Sequence, residues 1–146
     1  MESPAGKLGA DDRLELIDLI HRLGQALDYS RPADFAAAFT PDGVYQAVSS
    51  VRSGEQPRFR HQGTDQLLAF AETAAQRRQG LGRHWTGNVV LETNQTGASA
   101  VSYVAFLQID PETKERTITI SGTHRDDFVR TPQGWRFTSR TIVADI

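Results

Sequence analysis

Two residues of this chain have the types and the setting to move a proton. His84 lies in Gly82-Arg83-His84-Trp85-Thr86-Gly87-Asn88, at the entrance of a long β segment predicted over residues 84–93. A side chain at a strand's entrance can point into a cavity. An imidazole titrates at about 6.5 when unperturbed, so it can both take and give a proton near neutrality. It becomes a directed base only when a second group fixes its tautomer and orientation.

Asp28 is the candidate for that second group. Leu16, Ile20, Leu23 and Leu27 recur at helical steps and form one apolar stripe, and Asp28 closes it. Ile17 and Asp28 are eleven residues apart, close to three turns, which aligns the carboxylate with an apolar residue. A carboxylate aimed along a buried face is costly unless paired, so a partner is expected. Pairing with an imidazole would raise the histidine pKa. The plain alternatives are a histidine making one structural hydrogen bond and an exposed aspartate at a helix end.

Further candidates surround this pair. His124 shares strand parity with Ile118, Ile120 and Gly122, and so is expected to face the same cavity as His84. Tyr45 falls on a short strand at 44–48. Trp85 and Tyr103 could stack on a substrate ring or belong to the core. Arg140 lies on the last strand, on the opposite face from Trp135 and Phe137 unless that strand bulges. His21 reads as a residue supporting the pair from behind or a surface group, His61 as a solvated loop residue, and Asp126 and Asp127 as exposed or paired with Arg125 or Arg130. No two histidines stand at metal-ligand spacing, so no metal is expected.

The elements that must position these groups change character along the chain. Residues 1–10 read as a loose tail, and residues 11–146 as one domain. A helix begins near Asp12, with Asp12 and Glu15 spaced as a capping box. A short helix with Phe35 and Phe39 follows, then the strand at 44–48 and a polar, arginine-rich loop at 49–62. A third helix carries Leu67, Ala71, Ala74 and Arg78 and stops at Gly80. From residue 84 the chain is β: long alternating segments joined by Asn94-Gln95-Thr96-Gly97, Asp110-Pro111-Glu112-Thr113 and Thr131-Pro132-Gln133-Gly134. Helices followed by a meander give an α+β fold. It is expected to be a cone-shaped, curved antiparallel sheet wrapped around the N-terminal helices, with a pocket at its open end.

Composition narrows the function classes. The chain has 146 residues, 38% of them hydrophobic and 23% charged, and a net charge of −2. That is enough for one core and gives no reason to invoke nucleic acid or an anionic membrane. There is no bilayer-length apolar run and no basic-then-apolar leader, so a cytoplasmic protein is expected. The absence of cysteine removes thiolate chemistry and disulfides.

Several stretches, in their order, resemble the SnoaL-like branch of the nuclear-transport-factor-two-like superfamily. They are Ala26-Leu27-Asp28, Phe39-Thr40-Pro41-Asp42-Gly43-Val44-Tyr45, Arg83 to Asn88, Asp127-Phe128-Val129-Arg130, and Gly134 to Arg140. The branch includes scytalone dehydratase, hexachlorocyclohexane dehydrochlorinase, a bile-acid dehydratase and polyketide cyclases. The resemblance implies that Asp28 and His84 are a catalytic dyad working without metal or cofactor. It implies that Tyr45, His124 and Arg140 line the pocket, Arg140 standing five residues past Trp135. Two departures matter. Leu23 stands where the dehydrochlorinase carries a lysine, which argues against halide elimination. Ala47 stands where scytalone dehydratase carries a tyrosine, which argues against identity with that enzyme.

The reading is therefore a cofactor-free acid/base enzyme, a dehydratase acting on a small hydrophobic cyclic or polyketide-like molecule. Isomerisation or cyclisation could use the same groups, and a non-catalytic ligand-binding module could use the same fold. Relatives assemble through the outer sheet face, so a homo-oligomer, dimer or trimer, is expected.

Overall fold

The structure is a computed structural model that describes residues 7–50 and 57–145. Helix α1 spans Ala10–Asp28, and α2 spans Pro32–Ala37. Strands β1 (Phe39–Ser49) and β2 (Phe59–Gln62) precede α3 (Thr64–Arg78). The meander then runs through β3 (Gly82–Thr93), β4 (Ala98–Ile109), β5 (Arg116–Thr131) and β6 (Gly134–Ala144). Within residues 1–10, the stretch expected as a tail, Leu8 is buried and α1 starts at Ala10, while positions 1–6 lie outside the described residues. In the expected loop at 49–62, residues 59–62 form β2, and positions 51–56 lie outside the described residues.

The stripe on α1 is buried as its period requires, with Leu16, Ile20, Leu23, Leu27 and Asp28 all turned to the core. The start of α1 differs from the capping-box expectation. Gly9 is the N-cap, and no side chain caps the helix. Asp12 instead accepts from the indole Nε1–H of Trp135 at 3.1 Å and pairs with Arg130. Glu15 accepts from the Trp135 backbone N–H at 3.0 Å. A buried indole N–H needs an acceptor, and an acid in a helix's first turn is favoured by the helix dipole wherever it points. These carboxylates thus tie α1 to the β5–β6 hairpin. Its turn uses Gly134 at φ 104°, where an added Cβ would meet Glu15 Oε1 at 2.5 Å.

The strands form one sheet in the order β2-β1-β6-β5-β4-β3. It is mixed, not wholly antiparallel, because β1 pairs with β6 in parallel. The rest of the domain connects these two strands, so no hairpin dictates their sense. Register shifts in β1, β3, β5 and β6 bend the strands, and the sheet wraps the helices on its concave face. Phe35, Leu67, Phe128 and Phe137 fill the layer between helices and sheet. Tyr45 packs edge-on to Phe35, with ring centroids 5.4 Å apart, and tilted to Phe70 at 5.0 Å. No helix among the described residues is long and apolar enough to cross a membrane.

Candidate active site

The C-terminal end of α1 lies against the start of β3, and Asp28 makes the junction. One carboxylate oxygen, Oδ2, accepts the backbone N–H of His84 at 2.9 Å. The other, Oδ1, lies 2.6 Å from His84 Nδ1. One side chain therefore fixes both the backbone and the ring of His84. An ionised carboxylate can only accept, so Nδ1 carries the proton and Nε2 keeps its lone pair. Nε2 has no hydrogen-bond partner among the described residues. Asp28 is only 8% exposed, so the pair is shielded from water.

Burial dominates the His84 imidazole and pushes its pKa below the ordinary value. The Asp28 hydrogen bond and charge act upward, and the Arg78 and Arg140 charges act downward. The sequence-based expectation of a raised pKa is thus reversed. Pairing favours the imidazolium, but desolvation and two nearby guanidinium groups oppose it more. His84 is the neutral free base at pH 7, the form a general base must have.

His124 on β5 also faces inward and is 3% exposed. Its Nδ1 is buried without a partner. Burial, then Arg140, then His84 hold its pKa well below the usual histidine range, so it is neutral. Its parity holds with Ile120 but not with Ile118, which is 65% exposed. Ile120 pairs with Phe106 and Ile118 with Leu107, so the extra residue Thr119 turns Ile118 outward.

Arg140 faces inward for the same kind of reason. Phe137 pairs with Phe128 and Ser139 with Asp127, so Thr138 is the bulged residue, and Phe137 and Arg140 both point to the core. Arg140 donates from Nε and Nη2 to the two oxygens of Asp126, each at 2.7 Å. The reading of Asp126 as exposed, or paired with Arg125 or Arg130, is corrected: it is buried on the same strand face as His124. That parity was available in the sequence. Burial pushes the Asp126 carboxyl upward, and the Arg140 charge and hydrogen bonds oppose this. The forked geometry is that of an ion pair.

Tyr45, His84, Thr86, His124 and Arg140 close around a cavity of about 10 Å³, with Leu23, Gly24, Leu27 and Phe35 as its apolar wall. That space is about the size needed for one water molecule. Burial raises the Tyr45 phenol above its ordinary value, so it is a neutral hydroxyl.

Trp85 and Tyr103 do not join this group. They are 69% and 60% exposed on the outer sheet face, where they border a 560 Å³ depression with Asn88 and Asp145. Neighbours of inward residues on a strand must point outward, and His84 is inward. His61 belongs to β2 and packs on Phe70 at 4.9 Å, and burial lowers its pKa. His21 is exposed and borders a polar 690 Å³ groove between α1 and α2, away from the dyad.

Arg78 is the inward residue whose role the sequence left unread, although it ended the buried stripe of α3. Its guanidinium lies 4.4 Å from the centroid of Phe106, whose ring lies 4.6 Å from that of His84. Burial lowers its pKa, and the negative charge of Asp28 acts against this.

Comparison with known proteins agrees with this architecture. The SnoaL-like domain family matches residues 9–141. The uncharacterized protein Rv2910c of Mycobacterium tuberculosis is 28% identical over 131 residues, covering 88% of this chain and 82% of its own length. Among solved structures, ActVI-ORFA of Streptomyces coelicolor aligns with a TM-score of 0.78 at 22% identity, over 94% of this chain and 97% of its own. A candidate scytalone dehydratase of Novosphingobium aromaticivorans aligns with a TM-score of 0.75 at 20% identity, over 94% and 89%. At such identities the structural likeness speaks for the fold, and the family match speaks for descent: this chain belongs to the SnoaL-like family.

Proposed function

We propose that the protein is a proton-transfer enzyme of the dehydratase type, with Asp28 and His84 as its dyad. The observation that carries this reading is the double engagement of His84 by Asp28 inside a shielded cavity. A merely structural histidine needs no carboxylate holding both its ring and its backbone. His84 Nε2 removes a proton from the carbon beside a carbonyl, and the C–H electron pair becomes the new C=C bond. The β C–O bond breaks, and its oxygen takes the proton from the imidazolium, so water departs. Asp28 remains ionised throughout and stabilises the imidazolium. Tyr45, a neutral phenol, donates to the carbonyl oxygen, and neutral His124 orients the leaving group. General base catalysis of this kind contributes about 10²–10⁴-fold.

The substrate is a small, largely apolar ring compound, since the inner walls are apolar and aromatic. Isomerisation or cyclisation would share the first proton removal and differ in the later steps. The narrowness of the inner cavity favours a second reading, a filled cone acting only as a binding module. The experiment that separates them follows α-proton exchange of cyclic β-hydroxy ketones in deuterated water by NMR, together with water loss by ultraviolet absorbance. Exchange that vanishes in His84→Gln supports the enzyme, and no exchange with any such ketone supports the module.

The same reading includes self-association. Trp85, Val90, Tyr103 and Ile118 leave an apolar patch on the outer face of β3–β5. Patches of this kind mark interaction surfaces, and a second copy of the chain is the partner we assign to it.

A further inference from the structure

Arg78 carries an unusual defect. Its Nη1 is shielded from water and has no acceptor among the described residues. Two ordinary explanations account for part of its setting. A cation in the last turn of α3 is favoured by the helix dipole, and a guanidinium lies well over an aromatic face such as Phe106. Neither supplies a hydrogen-bond acceptor for Nη1. A buried charged donor left unmade is costly, and such an atom in a native structure calls for a missing partner. Asp126 satisfies Arg140 with two hydrogen bonds, so the other guanidinium acting on His84 already has its anion.

The surroundings say what that partner looks like. Arg78 and Phe106 border a pocket of about 310 Å³ whose other walls include Phe70, Ala74, Thr119 and Ile120. This is at the small end of ligand pockets, which run from about 300 to 1,000 Å³. Phe106 contacts the Arg78 guanidinium on one hand and the His84 ring on the other. A flat ring entering beside Phe70 and Phe106 would have an edge substituent within reach of Arg78, with Phe106 linking this pocket to the His84 ring.

We infer that Arg78 is a ligand-binding residue, and that the site takes a planar aromatic molecule bearing an anionic oxygen, which accepts from the Arg78 guanidinium. This deepens the proton-transfer reading, on which the catalytic sense of the site rests.

The test reads binding and needs no turnover. The probes are 2-naphthoate and its neutral isostere 2-naphthamide, titrated into the full-length protein by calorimetry. The wild type is expected to prefer naphthoate by about tenfold or more, since a charge-assisted pair is stronger than a neutral one. Arg78→Gln should abolish the preference, and Arg78→Lys should retain part of it. Arg125→Gln, altering an exposed residue of β5 outside this pocket, should leave it unchanged. Naphthoate should also shift the side-chain ¹⁵N–¹H signals of Arg78 in the wild type, a readout that stands even where a variant fails to fold. The inference is overturned by no naphthoate binding at millimolar concentration, by equal affinity for the two probes, or by a preference that Arg78→Gln retains. Loss of proton exchange in the dyad variants is a separate measurement. If the dyad reading fails while Arg78→Gln still loses the preference, the anion site stands as a ligand site alone.

Discussion

Replacing Asp28 by asparagine tests the dyad at the level of a single proton. The oxygen of the new amide can still accept the backbone N–H of His84, which Asp28 Oδ2 accepts at 2.9 Å, so the junction of α1 and β3 survives. The amide nitrogen then faces Nδ1, where Oδ1 stood at 2.6 Å. An amide N–H donates, so Nδ1 must now accept and the ring proton moves to Nε2. The base atom is blocked. The imidazole also loses the one partner that raised its pKa, so it stays neutral at pH 7 and the loss comes from the wrong tautomer. The corresponding change in a serine-protease triad costs about 10⁴ in turnover, or roughly 5.5 kcal/mol of barrier. We expect a fall of about 10³–10⁴-fold in α-proton exchange for Asp28→Asn. The accompanying Tm fall should be no more than about 5–10 °C, because one charged hydrogen bond is worth about 1.5–3 kcal/mol. The imidazole ¹⁵N shifts report the tautomer directly. Retention of the Nδ1–H form together with full exchange activity would refute the argument.

The remaining predictions concern titration, the buried ion pair and the outer face. Because His84 must be neutral, kcat/KM should fall as pH falls through a value below about 6.5, and an acid limb above that value would contradict the burial argument. His84, His124 and His61 all have depressed pKa values, so the unfolded chain binds more protons. Their contribution to stability is complete above about pH 6.5 and is lost as pH drops through the folded values; Tm scans from pH 7.5 to 5 should show the decline, with a smaller slope in His124→Asn. Asp126→Asn should cost about 3–5 kcal/mol in chemical denaturation by leaving buried Arg140 without its anion, whereas Asp126→Leu with Arg140→Met should recover most of that, and equal losses would contradict the ion-pair account. The double variant Trp85→Glu with Tyr103→Glu should convert an oligomer to a monomer by light scattering; an unchanged mass would remove the outer face as the interface.

Short-range order decided much of this protein. The steps of four, three and four from Leu16 to Leu27 define one helix face whatever surrounds it, so the position of Asp28 at the end of a buried stripe follows from the chain alone. Strand alternation likewise puts His124 and Ile120 on one face, and Asp126 with them. The order of helices before a meander specifies the layers. Alternation cannot say which face is inside, nor survive an extra residue. The bulges at Thr119 and Thr138 turned Ile118 outward and Arg140 inward, because a slip of one residue exchanges the faces of a strand. Trp85 and Tyr103 became surface groups because helix α1 covers the His84 side of the sheet. The parallel pairing of β1 with β6 joins strands that no turn connects. The sign of the His84 pKa shift depends on how far desolvation and the charges of Arg78 and Arg140 outweigh Asp28, and those distances exist only once the cone has closed around them.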